Sequence, residues 1–472
     1  MQLPYSKIHI IGIAGMGMTA LATYLKEKGC HVTGSDMGAY DPSASYLASY
    51  GISFATEHAA ENIPADTELI IIGKHAKLTM DNAEVAAAFA HPAPVMSMAE
   101  MWGVLGSETT NTLVVGSYGK STNSALISWC LRHAGKDPHY FIGAIPHDMP
   151  LSHAGSQDIF IMEGDEYPTS NFDMTSKFMY LHGKHVLLTS GEHDHVNMFP
   201  TLESYLAPYR ALMQTLTTES IVVANIAHPN VAELVAETSA RVVTYGLHEH
   251  EGYHPRNIAY GSTTACDLYR GDTFVCTLET QLLGAFNIEN IVGSSAMILE
   301  QGLLSIDELV RGIASFRGVV RRLDKKTDAS SLSIYEGFGS SYTKAKTALE
   351  ALRLHFPTAR IVTVFEPHTF SWRDPLTAHW YDDVFAESAL VIIYKPPAKD
   401  GKDVPGQLTL DEIVHRVTTS GTPAHGVHTS DEALAILEHE ITGNEVILML
   451  SSGELGGLIK EIPKWAQETY PQ

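Results

Sequence analysis

At 472 residues, 44% hydrophobic and 18% charged, the chain exceeds one hydrophobic core and predicts a globular protein of two to four domains. Its formal charge of −23 argues against a nucleic-acid partner, which wants a basic surface, and no apolar run is long enough to cross a bilayer. The N-terminus, with Lys7 in a predicted strand, is unlike a secretory signal, and four scattered cysteines without a Cys-x-x-Cys pattern suit a reduced, cytoplasmic protein with no membrane partner.

The first block, residues 1–107, alternates β-branched runs with helical patterns. Lys7–Ile11 reads as a buried strand, Gly12-Ile-Ala-Gly15-Met-Gly17 as a turn, and Met18 to Lys28 as a helix closed by Gly29. His31–Ser35, ending at Asp36, and Leu69–Ile72 follow as strands, which makes a Rossmann-like βαβ unit whose turn offers backbone N–H groups to phosphate. The dinucleotide fingerprint wants glycine at position 14, where Ala14 stands, although Asp36 sits where a ribose-binding acid belongs. A nicotinamide domain and a UDP-sugar domain both remain open at this point.

The second block, 108–317, opens with a strand, a glycine turn and a helix around Gly116-Ser117-Tyr118-Gly119-Lys120-Ser121-Thr122. Gly116 and Gly119 let the backbone curl around phosphates, Lys120 would reach the β- and γ-phosphates, and the Ser121 hydroxyl would join a Mg²⁺ shell. A strict P-loop has glycine where this chain has Val114. Strands at Ile159–Met162 and His185–Thr189 deliver Glu163-Gly-Asp165-Glu166 and Glu192-His-Asp194-His195 at their carboxyl ends, the side of a parallel sheet that lines a crevice. Magnesium takes hard oxygen ligands, so Ser121 with Glu163 or Glu166 would serve, and His195 is an acceptable further ligand. Asn287 and Asn290 either cap a helix that runs to Gln301 or present amides to an adenine edge. Arg317, Arg321 and Arg322 mark the next boundary, where an arginine reaching a γ-phosphate and an ordinary basic turn are both open.

The third block, 318–472, repeats strand and helix, with strands at Arg360–Phe365, Ala389–Tyr394 and Glu445–Leu450, as in a smaller doubly wound α/β domain.

Taken in order, these motifs resemble the Mur ligase family of peptidoglycan-precursor amide-forming enzymes. The resemblance rests on Gly12-Ile-Ala-Gly-Met-Gly-Met18, Gly34-Ser-Asp36, Gly116 to Thr122, Glu163-Gly-Asp-Glu-Tyr167, Asp194-His195, Asn287-Ile-Glu-Asn290, Arg321-Arg322 and Glu366-Pro-His368, which span nearly the whole chain. It implies three α/β domains: a Rossmann-like UDP-binding domain, a central P-loop ATPase-type domain with a parallel sheet, and a C-terminal peptide-binding domain. The stretch Gly34 to Pro42 and Ser451-Ser-Gly-Glu-Leu-Gly-Gly457 look most like the branch that joins UDP-N-acetylmuramate to the tripeptide L-Ala-γ-D-Glu-meso-diaminopimelate in murein recycling. Glu366-Pro-His368 with Tyr381-Asp-Asp383 resembles the branch that adds L-alanine instead, which is the alternative acceptor.

What the resemblance implies for single residues is specific. Lys120, Glu166 and His195 are expected to be catalytic, with Mg²⁺ held by Ser121, Glu166 and His195. Gly116, Ser117, Gly119, Lys120, Ser121, Thr122, Asn287, Asn290 and Arg322 are expected to bind ATP. Gly12, Gly15, Gly17, Met18, Ser35 and Asp36 are expected to hold the UDP-sugar, and His368 and Arg373 the peptide. The partners are then UDP-N-acetylmuramate, ATP and the tripeptide, on a monomer or weak dimer. Two departures stand out. Tyr118 replaces the histidine or asparagine usual in this loop, and Glu336-Gly-Phe-Gly-Ser-Ser-Tyr342 replaces an acidic, histidine-bearing segment that makes ribose or peptide contacts. A ligase-derived nucleotide-binding protein of reduced activity is therefore a further alternative.

Overall fold

The computed structural model describes residues 3–195, 198–395 and 406–472. The chain divides into two compact units. The first comprises residues up to Ile258 together with Ala265–Thr280 and Ile288–Arg317; the second comprises Ala259–Thr264, Gln281–Asn287 and the chain from Gly318 onward. Three sheets organise them in the three-domain α/β pattern expected, the first two sheets sharing the first unit.

The first sheet has the order β2-β1-β3-β4, built from β1 (Lys7–Ile11), β2 (His31–Ser35), β3 (Leu69–Ile72) and β4 (Val95–Ser97). All its pairs are parallel. The first helix, Met16–Glu27, begins two residues earlier than its apolar stripe suggests, so Gly17 lies in its first turn rather than in the loop. Met18 is buried in the core.

The second sheet contains β5 (Thr110–Val115), β6 (His139–Phe141), β7 (Ser152–His153), β8 (Ile159–Glu163) and β9 (His185–Leu188). It continues through β10 (Ile221–Asn225), β11 (Arg241–Tyr245), β12 (Tyr253–Tyr260), β13 (Thr264–Arg270) and β14 (Thr273–Thr280). Its order is β14-β13-β12-β11-β10-β9-β5-β8-β6-β7. β5 is therefore hydrogen-bonded on one side to β8 and on the other to β9, in parallel, with Val114 opposite Glu163 and Val115 opposite Leu188. All three strands end on the same edge, as a crevice at the carboxyl ends requires. The β12–β14 edge was not evident in the sequence, where its half-buried alternation lacks long apolar runs.

The third sheet comprises β15 (Arg322–Lys325), β16 (Ser333–Gly337), β17 (Ile361–Phe365), β18 (Leu390–Tyr394), β19 (Ala424–Val427) and β20 (Val446–Leu450). Its order is β15-β16-β20-β17-β18-β19, with only the β15 edge antiparallel. Apolar clusters pack on both faces, which defines a doubly wound domain. Among the described residues, no helix is long and apolar enough to cross a membrane.

Candidate active site

β5 runs straight into the loop Gly116–Gly119, and the helix Lys120–His133 starts immediately after it. Gly116 has φ +137° and Gly119 φ +81°, a region that side chains disfavour. A Cβ on Gly116 would also fall 2.3 Å from Thr189 Oγ1 and 2.7 Å from Ser190 N. The loop is thus glycine-dependent because β9 leads into residues pressed against it. The Thr189 hydroxyl donates to Val115 O at 3.1 Å, and Tyr118 N–H donates to Ser190 Oγ at 2.9 Å.

Lys120 folds back over its own loop. Its Nζ donates to Gly116 O at 2.7 Å and to Glu166 Oε2 at 2.8 Å. The Lys120 side chain is 14% exposed and that of Glu166 fully buried. Burial opposes the lysine's charge, but the carboxylates of Glu166, Asp165 and Glu163 outweigh it and raise its pKa above the usual 10.5. Burial likewise opposes the charge on Glu166. Hydrogen bonding to His195 and the adjacent Lys120 prevail and hold its carboxyl well below the usual 4.5.

His195 is brought to the same carboxylate, with Nε2 at 3.4 Å from Glu166 Oε1. The residue takes a left-handed backbone, φ +55°, and its ring meets Tyr167 edge-on at 4.5 Å. Ser121 faces the other acid, donating to Glu163 Oε1 at 2.9 Å, while Gly143 N–H donates to Glu163 Oε2 at 2.7 Å. Glu163 ends β8 itself rather than following it, which fixes its position opposite Val114. Thr122 is buried, and Ser117 donates to Glu192 O at 2.5 Å.

Tyr205, on the helix Leu202–Thr215, carries no motif that marks it for this site. Its hydroxyl donates to Ser117 Oγ at 2.9 Å and approaches Glu166 Oε1 at 3.4 Å. Asn123 is likewise unmarked by any motif, and its amide donates to Asn290 Oδ1 at 2.8 Å and accepts from Ser294 Oγ at 2.7 Å. Through Asn123, the helix Lys120–His133 is joined to Asn290, whose Oδ1 would lie 2.6 Å from a Cβ on Gly119. Asn287 turns inward to its own helix, donating to Leu283 O at 2.8 Å. Burial, then the charges of Asp194 and Glu192, push the Tyr118 hydroxyl up to about 12.

In the first sheet, Gly12 has φ +83°, and its N–H and that of Ile13 donate to Ser35 O at 2.8 and 3.1 Å. Asp36 closes the turn, accepting from Ala14 N–H at 2.8 Å and from Met37 N–H at 2.7 Å. Gly15 precedes the helix, and a Cβ on Gly17 would sit 2.9 Å from Met98 Sδ. The Ser35 side chain is buried and donates to Glu84 Oε2 at 2.5 Å. Glu84, also unsuspected from sequence, receives His9 Nε2 and His58 Nδ1, each at 2.9 Å.

The second unit holds Arg322, His368 and Arg373. Arg322 is exposed at the start of β15. His368 Nδ1 lies 3.2 Å from Ser452 Oγ, and Arg373 donates to Gln407 Oε1 at 2.9 Å. Its neighbour Arg321 has the larger structural part, donating to Ser451 O and Gly453 O at 2.8 and 2.6 Å and pairing with Glu336 at 2.8 Å. The divergent segment thus begins on a buried carboxylate already neutralised by Arg321 and Lys326.

A glycine turn whose lysine, hydroxyl and two carboxylates converge is an arrangement for handling phosphate. Comparison with known proteins agrees. Residues 114–298 match the Mur ligase middle domain, and residues 7–110 the Mur ligase family catalytic domain. A UDP-N-acetylmuramate–L-alanine ligase of Chlorobium phaeobacteroides (strain BS1) is 30% identical over 367 residues, 77% of either chain. The crystal structure of a UDP-N-acetylmuramate-alanine ligase from Thermotoga maritima superposes with a TM-score of 0.79 at 20% identity, covering 98% of this chain and 99% of that one. That of the UDP-N-acetylmuramate:L-alanyl-γ-D-glutamyl-meso-diaminopimelate ligase from Neisseria meningitides gives 0.61 at 25% identity, covering 67% of this chain and all of that one. The chain belongs to the Mur ligase family and is an ATP-dependent ligase.

Proposed function

We propose that this ligase joins UDP-N-acetylmuramate to the tripeptide L-Ala-γ-D-Glu-meso-diaminopimelate, as in peptidoglycan recycling. The muramate carboxylate attacks the γ-phosphorus of ATP, ADP departs, and an acyl phosphate forms. The L-alanyl amine then attacks the acyl carbon, phosphate leaves, and the amine's proton is lost as the amide forms. Bringing a carboxylate to a triphosphate sets negative charges together, so the site must supply cations where charge develops.

The ligase chemistry in this reading is carried by Lys120 on the buried Glu166, at the mouth of a glycine turn, 2.8 Å away, and the tripeptide acceptor rests on the resemblance of Gly34 to Pro42 and Ser451 to Gly457. Lys120 exchanges Glu166 for the β- and γ-phosphates when ATP arrives. Gly116, Ser117, Gly119 and Thr122 shape the cradle around them. Ser121, Glu166 and His195 fit a magnesium ion, since a hydroxyl, one carboxylate and an imidazole leave room for waters and phosphate oxygens. Bound there, magnesium would neutralise phosphate charge. Gly12, Gly15, Gly17, Ser35 and Asp36 frame the UDP end of the substrate. Asn287 and Asn290 serve the adenine, Arg322 the phosphates, and His368 and Arg373 the peptide carboxylates.

A second reading has free L-alanine as the acceptor, and the Chlorobium relative's name favours it. Both acceptors present an L-alanyl amine, so the first-unit chemistry is common to them. Phosphate release with UDP-N-acetylmuramate, ATP and each acceptor decides. Turnover with the tripeptide and little with L-alanine is expected, and the reverse preference transfers the assignment to the second reading.

A further inference from the structure

Lys74 follows β3 and Gly73 at the carboxyl edge of the first sheet. Gly73 N–H donates to Ile11 O at 2.9 Å, so the chain emerges alongside the phosphate-facing turn, and the Gly73 Cα lies 3.9 Å from where a Cβ on Gly12 would be. From there the Lys74 ammonium donates to Ser170 O at 3.0 Å. Ser170 lies in the loop that follows Glu163–Tyr167, so one half-buried cation touches segments of both the UDP-binding and the ATP-binding domains of the first unit.

Its charge balance is unusual. The protein carries 54 acidic residues against 31 lysines and arginines. Nevertheless, among the described residues no carboxylate lies within ion-pairing distance of Lys74, and Ser170 O takes one of its three N–H donors. Its charged neighbour is another lysine. Lys177 pairs with Asp165 and lies 5.8 Å from the Tyr167 ring centroid. Burial, then the charge of Lys177, lowers the Lys74 pKa from the usual 10.5. A cation left without a counter-ion in so acidic a chain is poised for an external anion.

We infer that Lys74 is a substrate-binding residue that takes the diphosphate of the UDP-linked substrate, beside the Gly12 turn. The inference rests on the reading of that turn as the UDP site. Position selects the diphosphate over the muramate carboxylate. Lys74 stands at the end of β3, next to β1, whereas the carboxylate must reach the γ-phosphate at the Lys120 loop, at the end of β5.

The test is calorimetric titration of the full chain with UDP and with uridine, for the wild type, Lys74→Met and Lys74→Arg. Lys74→Met is expected to weaken UDP about tenfold or more, the scale of a lost hydrogen bond to a charged group, and to leave uridine unchanged. Lys74→Arg is expected to recover most of the loss, and the KM for UDP-N-acetylmuramate to rise with no change in that for ATP. Melting temperatures within a few degrees separate these effects from lost packing. Wild-type and Lys74→Met chains binding UDP equally would overturn the role of Lys74 and leave the UDP site standing. Equal UDP binding with a poorer KM for UDP-N-acetylmuramate would give Lys74 to the muramate carboxylate, against the inference. A wild type that binds no UDP would remove both.

Discussion

The Ser121 hydroxyl donates to Glu163 Oε1 at 2.9 Å, while the preceding residue, Lys120, holds Glu166. The first two residues of the helix thus divide the two glutamates of one acidic run between them. The sheet order imposes this division, because β8 lies beside β5 and delivers Glu163 level with Val114, three residues before Glu166. Glu163 therefore orients a hydroxyl, and Glu166 balances a cation.

Lys120→Ala is expected to lower kcat/KM by a factor of a hundred or more, about 3 kcal/mol of lost transition-state stabilisation. The substitution also strands Glu166 in the interior. Phosphate-release kinetics alongside thermal melting measure both effects. A variant that turns over like the wild type contradicts the role given to this lysine.

Acid should weaken the contribution of Glu166. Its folded pKa lies below the unfolded value, so the unfolded chain takes up the proton first as pH falls. The stabilisation is complete above the ordinary carboxylate pKa of 4.5 and declines as pH falls through the folded value. The stability gap between the wild type and Glu166→Gln should accordingly be widest near neutrality and narrow below about pH 4.5. Urea titrations at pH 7, 5 and 4 would show it, and a gap that widens toward acid contradicts the assignment.

Glu84→Ala should destabilise the first sheet by about 3–5 kcal/mol, since it leaves a histidine pair and a serine hydroxyl inside without their acceptor. The same carboxylate fixes Ser35, whose carbonyl receives the Gly12 and Ile13 amides. UDP affinity should therefore fall together with the melting temperature. Unchanged melting contradicts the structural part of this prediction.

Gly116→Ala should abolish ATP binding or lower the melting temperature sharply. The new methyl meets Thr189 Oγ1 and the Ser190 backbone, and only the first of these can rotate away. Nucleotide titration by fluorescence gives the outcome. Wild-type affinity would mean that the loop relaxes at little cost.

The central site was largely legible in the sequence because its parts are local: a glycine turn, a lysine and a hydroxyl lie within seven residues, and each acidic cluster follows its own strand. Apolar runs such as Leu69–Ile72 and Val446–Leu450 also announced their strands plainly. Long-range partnerships were not legible. Glu84 sits in an alanine-rich helix that looks like a solvent-facing surface, and its partner His9 lies 75 residues away, the one hint being a histidine inside a buried strand. Tyr205 resembles any aromatic on an amphipathic helix until the fold brings its hydroxyl to Ser117. Met18 lies buried in a helix that starts at Met16, a start that the apolar stripe alone did not mark.

By clasping Glu166, Lys120 keeps the resting loop electrically quiet. On the proposed reading, a nucleotide entering there does not meet a bare positive patch open to any passing polyanion; it displaces a ligand that the protein supplies to itself. Affinity is thereby traded for discrimination, since only a molecule offering several phosphate oxygens at once competes with that tethered carboxylate. On the reading of this loop as the nucleotide site, orthophosphate and small organic acids, with fewer oxygens to offer, are the weaker competitors for the lysine that Glu166 holds.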